Sequence, residues 1–224
     1  MPSMKKAVIG LDPAGVLGFQ IERIQQTEVV LLIEGISPLI THKWSEKAIR
    51  MITDKQGGKA KQAREIRDPQ ADYEGATYYN GAGLPSIPTI SFKAAAVTAV
   101  SNIPGLTKVQ TRTFFFMRGE LVPIIGERYM RQDMVRVGMG TADVRYRPCW
   151  DEWKVELTVD LNERLFTVEQ LVALMDSAGF GVGVGEWRPE KDGDNGRFRV
   201  ADVLHIRRRD ALDLDLAGRN GGRR

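Results

Sequence analysis

The sequence has few of the residues that form covalent cross-links or bind metals. It contains one cysteine, Cys149, in 224 residues, so no intrachain disulfide can form. Its histidines are His42 and His205, and together with Cys149 they are too few for the usual four-ligand zinc site. We therefore expect neither a structural disulfide nor structural zinc, and we predict no cofactor.

Long hydrophobic runs are also missing. No apolar run reaches the roughly 18 residues typical of a membrane-spanning helix, and the N-terminus has a basic start without a signal-peptide core. We expect no membrane association and a location in the cytoplasm of a bacterial host. A hydrophobic content of 42% is ordinary for a globular protein.

The charge is mildly basic, with a net charge of +3 and an isoelectric point near 9.0. This permits nucleic-acid binding without requiring it. Basic residues are concentrated between positions 42 and 67, a segment that includes Lys43, Lys47 and Arg50. A second, arginine-rich group lies between positions 128 and 147.

Four segments have clear periodicity. "EVVLLIEG" and "FRVADVLHI" are typical of strands, and "WKVELTVDLN" alternates apolar and polar residues as a half-buried strand does. "TVEQLVALMDSAGF" predicts an amphipathic helix that begins at a capping box of Thr167 and Gln170 and ends at Gly179.

Other segments are less regular. A helix capped by Ser91 is expected in "SFKAAAVTAV", and a shorter one capped by Ser45. "KVQTRTFFFMRGELVPIIG" is interpreted as a hairpin that turns at Arg118 and Gly119. "MVRVGMGTADVRYRPCW" is interpreted as a strand that bends near Gly138 and Gly140.

The order of these elements predicts an α+β protein with a ferredoxin-like, RRM-like core. We expect one domain over residues 1–210, with a basic, mobile excursion inserted at about 42–80. Residues 211–224 are expected to form a disordered tail.

The glycine-rich segment from Gly181 to Phe198 has the most distinctive composition. It follows a helix and precedes a strand, so it fits neither a phosphate-binding P-loop nor a dinucleotide loop. One interpretation places the bare backbone of Gly183 and Gly185 against a nucleic-acid strand, with a stacking tryptophan and phosphate-binding arginines nearby, namely Trp187, Arg188 and Arg197. The alternative is that the glycines serve packing between helix and sheet, that Trp187 is a core residue, and that both arginines are solvated.

Two further features suggest an anionic partner. Lys93 lies in the first turn of a predicted helix, where a cation is disfavoured unless an anion is near. Arg145 and Arg147 alternate with Tyr146 and Trp150, as in single-strand binding surfaces. The alternative is that both aromatics are core residues and both arginines face solvent.

The stretches "LPSIPTISFKAAAVTA" and "AGFGVGVGEWRPEKDGDNGRFRV" resemble those of the RAMP superfamily, the ferredoxin-like RNA-binding proteins of CRISPR effector complexes. The chain is also similar, along most of its length, to uncharacterised bacteriophage proteins that share "SPLITH", "DVRYRP" and "GEWRP". The RAMP resemblance implies a non-catalytic subunit that binds single-stranded nucleic acid and polymerises along it. The resemblance implies a role in binding for Lys93 and for the loop from Gly181 to Arg197, whose positions match the family's motifs.

We therefore predict a non-enzymatic bacteriophage protein that binds single-stranded DNA or RNA and forms a homo-oligomer. Its affinity for the nucleic acid should depend strongly on salt concentration. The sequence does not choose between DNA and RNA, since contact with a ribose hydroxyl depends on geometry. The alternatives are a phage structural or assembly protein, and a metal-independent RNA-processing endonuclease that uses His42 or His205 as general base.

Overall fold

The structure of the protein is a computed structural model, described here for residues 24–44, 53, 56–57, 68–137 and 141–208. The strands are β1 (Gln26–Gly35), β2 (Leu39–Ile40), β3 (Tyr78–Tyr79), β4 (Pro85–Pro88), β5 (Phe115–Met117), β6 (Leu121–Pro123), β7 (Tyr129–Val137), β8 (Thr141–Trp150), β9 (Lys154–Asn162) and β10 (Phe198–Arg208). The helices are α1 (Pro69–Gly75), α2 (Ile90–Ala99), α3 (Lys108–Phe114) and α4 (Val168–Gly181), with 3-10 turns at Val100–Asn102 and Pro189–Lys191.

The largest sheet has four strands in the order β10-β1-β9-β5, and each neighbouring pair is antiparallel. Along the chain, α2 lies between β1 and β5, and α4 lies between β9 and β10, which gives a β-α-β-β-α-β order. A second sheet has the order β2-β8-β7 and a third has the order β3-β4-β6. The predicted α+β class is confirmed.

One face of the large sheet is buried beneath α2 and α4. In β1 and β9 alternate residues are buried, as the period of a strand requires, and they pack in one core with apolar residues of both helices. Helix α4 begins at the predicted capping box, in which the Thr167 side chain accepts from the Gln170 N–H and the Gln170 side chain accepts from the Thr167 N–H.

The opposite face of the sheet is open and carries ion pairs. Arg118 bridges Glu28 and Asp160, which lie opposite each other on β1 and β9. Glu34 pairs with Lys154 at 3.0 Å and with Arg199 at 2.6 Å. These pairings neutralise the arginines and the lysine locally.

The predicted hairpin at Arg118 and Gly119 is wrong. Residues 108–114 form α3, which begins at Thr107, and β5 and β6 pair with β9 and β4 instead of with each other. The segment 129–150 is a hairpin of β7 and β8 where one bent strand was predicted, and Gly138 and Gly140 lie outside the described residues.

Both helix boundaries differ from the predictions by a few residues. Helix α2 begins at Ile90 after Thr89, so Ser91 lies inside its first turn and does not cap it. Helix α4 continues past Gly179 to Gly181. Gly179 does not end the helix; it leaves room for the backbone of Phe198, which a Cβ there would overlap.

The described part of the predicted excursion packs on the body of the protein. Tyr73, Ala76 and Thr77 are buried, and α1 contacts β8. The guanidinium of Arg128 lies 4.6 Å from the ring of Tyr73 and 3.1 Å from Glu74. The Ser45-capped helix and the tail 211–224 lie outside the described residues.

Candidate nucleic-acid interface

The glycine-rich segment folds as a compact loop against β2. Within it, the N–H of Val184 donates to the carbonyl of Gly196 at 2.9 Å. Two hydrogen bonds join the loop to the segment around β2. The N–H of Glu186 donates to Ile40 O at 2.8 Å, and the N–H of Gly196 donates to Pro38 O at 2.7 Å. Backbone hydrogen bonds therefore fix the loop's position on the β2 side of the core.

Two of its glycines are required by this packing. Gly183 and Gly185 have φ angles of +71° and +78°, which disfavour any side chain. A Cβ at Gly183 would lie 2.8 Å from Pro189 Cδ, and one at Gly185 would overlap the carbonyl oxygen of Ile40. A Cβ at Gly181, in contrast, would meet nothing within 4 Å. Packing within the protein thus accounts for Gly183 and Gly185 without a ligand.

Trp187 lies where the loop meets the β7–β8 hairpin. It is half-buried, and the guanidinium groups of Arg131 and Arg147 lie 5.2 and 5.5 Å from its ring. Its φ of +52° is unusual for a residue with a side chain. The hydrogen bond from Asn195 N–H to Trp187 O, at 3.0 Å, supports that backbone conformation. Strained conformations that their surroundings hold in place are common at functional sites.

Asp133 links the two arginines. Its carboxylate is 2.8 Å from Arg131 Nε and 3.6 Å from Arg147 Nη1. Strands β7 and β8 are paired so that Arg131 lies opposite Arg147. Asp133 is 5% exposed and Arg147 is 2% exposed. Burial lowers the pKa of Arg147, while Glu186 and Asp133 oppose that change.

The predicted basic and aromatic residues of β8 therefore take different roles. Arg147 lies beneath Trp187 instead of at the surface, and Trp150 is a core residue, as the alternative interpretation held. Arg145 is half-buried, with its Nε 3.6 Å from Asp143. Of the two predicted arginines, Arg145 is the one that can reach a phosphate.

The loop arginines are held by neighbours. Arg188 donates to Glu190 at 2.6 Å and, through Nη1, to the carbonyl of Gly185 at 3.0 Å. The guanidinium of Arg197 lies 5.1 Å from the ring of Phe180. Both arginines are half-buried, so parts of both side chains face solvent.

A cleft of about 420 Å³ opens between the loop, β2 and α2. Its lining includes Thr41, His42, Tyr78, Ser91, Gly185 and Glu186. Thr41 Oγ1 and His42 Nδ1 are buried and form no hydrogen bond with the part of the chain that the structure describes. Burial lowers the pKa of His42, and the charge of Arg147 adds to this, while Glu186 raises it.

The remaining predicted site residues lie apart from the cleft or outside the described residues. Lys43 is exposed, and its backbone N–H donates to Ala76 O at 2.9 Å. Lys93 is not among the cleft residues; its Nζ lies 3.9 Å from the ring centroid of Phe116, and burial lowers its pKa. Lys47 and Arg50 lie outside the described residues.

Sequence reasoning did not select Arg131, Asp133, Thr41 or Glu186 as site residues. Arg131 belongs to the arginine-rich group at 128–147, but only the register of β7 on β8 places it at Trp187. Among the described residues there is no cluster of His, Cys, Asp and Glu suited to a metal ion, and no helix long and apolar enough to cross a membrane.

No family model matches the chain, and no curated protein matches it. It is similar to a chain of the Type III-B Cmr-beta determined bound to cognate target RNA, with a TM-score of 0.44 and 8% identity over 82% of this chain and 61% of that chain. It is also similar to Cmr6 from Pyrococcus furiosus, with a TM-score of 0.42 and 10% identity over 79% of this chain and 98% of that chain. The match spans less than two thirds of the first neighbour's length.

Proposed function

We propose that the protein binds single-stranded nucleic acid, without catalysing a reaction, where the glycine-rich loop meets the β7–β8 hairpin. The observation that carries this proposal is the half-buried Trp187 with the guanidinium groups of Arg131 and Arg147 against its ring. An aromatic ring beside clustered arginines offers a base something to stack on and its phosphate something to bind.

The partly exposed arginines supply the phosphate contacts. The side chains of Arg131, Arg145 and Arg188 are 36%, 33% and 31% exposed. Each is paired with a carboxylate, but a guanidinium has several N–H donors in a planar fork, and one ion pair leaves others free for a phosphate oxygen. Buried Arg147 adds positive charge from below and positions Trp187.

The open face of the large sheet is a poorer surface for a polyanion. Glu28 and Asp160 flank Arg118 there, Glu34 lies between Lys154 and Arg199, and Glu156 is exposed on the same face. A nucleic-acid strand on this face would bring its phosphates beside these carboxylates, and like charges repel. The basic residues there are already paired with the carboxylates.

The finer parts of the proposal come from the sequence. The β-α-β-β-α-β order supports a ferredoxin-like core of the RAMP type, with the hairpin as an addition to it. Bacteriophage origin, a cytoplasmic location, polymerisation along the strand and homo-oligomer formation remain predictions.

The test is fluorescence anisotropy of labelled single-stranded DNA and RNA at rising salt concentration. We expect affinity to fall linearly on a log-log salt plot, and Arg131→Ala to reduce the slope by about 0.7. Trp187→Ala should weaken binding about 5-fold to 100-fold, the value of one base stacked on an aromatic ring. Arg199→Ala, which removes the same charge from the open face, is the matched control and should leave binding unchanged.

Absence of binding to either polymer at low salt would overturn the proposal and favour the alternative of a structural or assembly protein. Binding that Arg199→Ala weakens as much as Arg131→Ala would also contradict the assigned surface.

A second candidate function is metal-independent RNA cleavage, favoured by the position of His42 in the cleft. Its lowered pKa keeps the imidazole neutral near pH 7, so it can accept a proton from a ribose hydroxyl. His205 is exposed on β10 and does not line the cleft. RNA cleavage that His42→Ala abolishes and His205→Ala retains would establish this activity in place of simple binding.

A further inference from the structure

The cleft beside the loop has a size and lining suited to a single base. Its volume of about 420 Å³ is within the range of small-molecule sites. Ser91, Ala94 and Thr98 of α2 form one wall with short side chains, and half-buried Tyr78 lines it as well. Flat, partly apolar groups such as nucleobases fit a cleft of this size and lining.

The charges of the cleft select against a phosphate. Glu186, Glu190 and Arg188 line it, but Arg188 is already engaged, since it donates to Glu190 at 2.6 Å and to the carbonyl of Gly185 at 3.0 Å. Glu186 pairs with Arg147, whose Nη2 is 3.9 Å from its carboxylate, and Arg147 itself is buried. A carboxylate repels phosphate oxygens and accepts hydrogen bonds, so a group that enters here must present N–H or O–H donors.

Glu186 is held in place by its backbone. Its N–H donates to Ile40 O at 2.8 Å, which places Glu186 beside the segment that holds Thr41 and His42. All three residues line the cleft, and the charge of Glu186 raises the pKa of His42. Burial raises the pKa of Tyr78, and the charge of Glu186 adds to that change, as expected for a neighbour. The side chain of Glu186 is 37% exposed, which leaves its carboxylate accessible to a ligand.

Thr41 adds an independent sign of a ligand. It is 2% exposed, it lines the cleft, and its hydroxyl forms no hydrogen bond with the described residues. His42 Nδ1 is likewise buried without such a partner. Buried polar groups are nearly always hydrogen-bonded, because leaving one without a partner costs free energy.

We propose that this cleft takes one unstacked base of the bound strand and prefers guanine, with Glu186 accepting from its Watson–Crick edge and Thr41 donating to its carbonyl. The proposal rests on the proposed single-strand binding. Phosphates on either side of the base lie at the rim, near the partly exposed arginines.

Guanine is favoured by the order of donors and acceptors along its edge. Its N1–H and N2–H groups are adjacent donors, which match the two oxygens of one carboxylate, and its O6 is an acceptor for a hydroxyl. Adenine and cytosine each place a ring-nitrogen acceptor next to the exocyclic amine. Uracil and thymine have one N–H between two carbonyl groups.

The experiment compares short oligonucleotides that differ in one base. A single guanine in an otherwise uridine strand is replaced in turn by inosine, adenine, cytosine or uracil, and each strand is titrated against the full chain by anisotropy. Inosine keeps O6 and N1–H but lacks the 2-amino group. Guanine should bind about 10-fold more tightly than uracil, as a bidentate pair allows, and inosine should lie between them.

Variants then assign the preference to the cleft. Glu186→Gln should reduce the guanine preference to about 2-fold or less, because an amide offers one acceptor and places a donor beside guanine's own. Glu156→Gln, which makes the same change on the open sheet face, should keep it. The salt slope should change little in Glu186→Gln, since the lost contact is to a base.

Each outcome separates this proposal from the binding function beneath it. Tight, salt-dependent binding with equal affinity for all five strands would overturn the guanine cleft and leave single-strand binding intact. Equal affinity for guanine and inosine would contradict the role of the 2-amino group. This comparison uses the wild-type protein, so it does not depend on whether a variant folds. A guanine preference that Glu186→Gln retains would place the contact elsewhere. Absence of binding to every strand would overturn both.

Discussion

Replacement of Gly185 by alanine tests whether the glycines of the loop serve the protein or a ligand. Gly185 has a φ of +78°, and an added Cβ would overlap the carbonyl oxygen of Ile40 and lie 3.0 Å from Leu39 Cδ1. That carbonyl also accepts the N–H of Glu186 at 2.8 Å. The methyl group cannot be accommodated unless the loop moves away from β2.

The cost has two parts that can be worked from this geometry. An alanine held at a left-handed φ loses about 1–2 kcal/mol relative to glycine. Weakening the hydrogen bond between Glu186 and Ile40 costs about 0.5–1.5 kcal/mol more. Gly185→Ala is therefore expected to lower the free energy of unfolding by about 1.5–3.5 kcal/mol.

Gly181→Ala is the matched control, because it adds the same methyl group at the end of α4, where nothing lies within 4 Å. Its stability should be unchanged or up to about 1 kcal/mol higher, since alanine favours the helix over glycine. Urea unfolding followed by tryptophan fluorescence measures both variants. A Gly185→Ala protein as stable as the wild type would refute the packing argument. A Gly181→Ala protein of normal stability that binds nucleic acid poorly would show that a strand approaches the backbone at that glycine.

Two further predictions concern charge. Asp133→Asn should lower the free energy of unfolding in urea by about 3 kcal/mol, because Arg147 is buried and, among the described residues, would keep only Glu186, 3.9 Å away, as a countercharge. A change under about 1 kcal/mol would show that Asp133 does not stabilise Arg147. Glu34 has a pKa below its ordinary 4.5, through its hydrogen bonds with Arg199 and then Lys154. The folded state therefore binds fewer protons, so this stabilisation is complete above about pH 4.5 and is lost as the pH falls towards the folded pKa. The urea midpoint should fall less between pH 6 and pH 3 in Glu34→Gln than in the wild type, and an equal fall would contradict this account.

The sequence predicted well the elements whose burial pattern is local. Strand β9 alternates along its whole length because one face meets the helices and the other is open, and every second residue from Trp153 to Leu161 is buried. The capping box of α4 needs only Thr167 and Gln170, three residues apart, and it forms as predicted. Such signals need no knowledge of distant partners.

The error at residues 108–114 had a tertiary cause. The β-branched and aromatic residues there suggested a strand, yet Thr107 accepts from Gln110 N–H at 3.2 Å and begins a helix. Phe114 then stacks on Phe166 at 5.1 Å, a contact that crosses 52 positions of sequence (166 − 114). Local propensity cannot anticipate such packing.

The candidate site was predicted in part. Composition selected Trp187 with Arg188 and Arg197, and selected Arg145 and Arg147 separately, but it did not select Arg131. It also could not tell a buried arginine from an exposed one. Arg145 and Arg147 are two residues apart on β8 and so, by the period of a strand, share a face. Arg147 is nevertheless buried and Arg145 is not, because the loop covers the hairpin only at the Arg147 end. Whether each arginine is buried or exposed depends on where the glycine-rich loop packs on the hairpin. Trp187 of that loop lies 40 positions after Arg147 in sequence (187 − 147).

The position of Arg147 also bears on the proposed interface at this junction. A guanidinium buried under Trp187 cannot touch a phosphate, and burial of its charge is tolerated because Asp133 and Glu186 lie beside it. Arg147 also joins the hairpin to the loop, through its ion pair with Glu186 at 3.9 Å and its contact with the ring of Trp187. The exposed part of Trp187 and the side chain of Arg131 are therefore presented from two segments that contact each other. A ligand that stacks on Trp187 then binds a surface that is already ordered, which lowers the entropic cost of binding. In the proposed complex, the large sheet supplies the scaffold, and the hairpin and the loop supply the contacts.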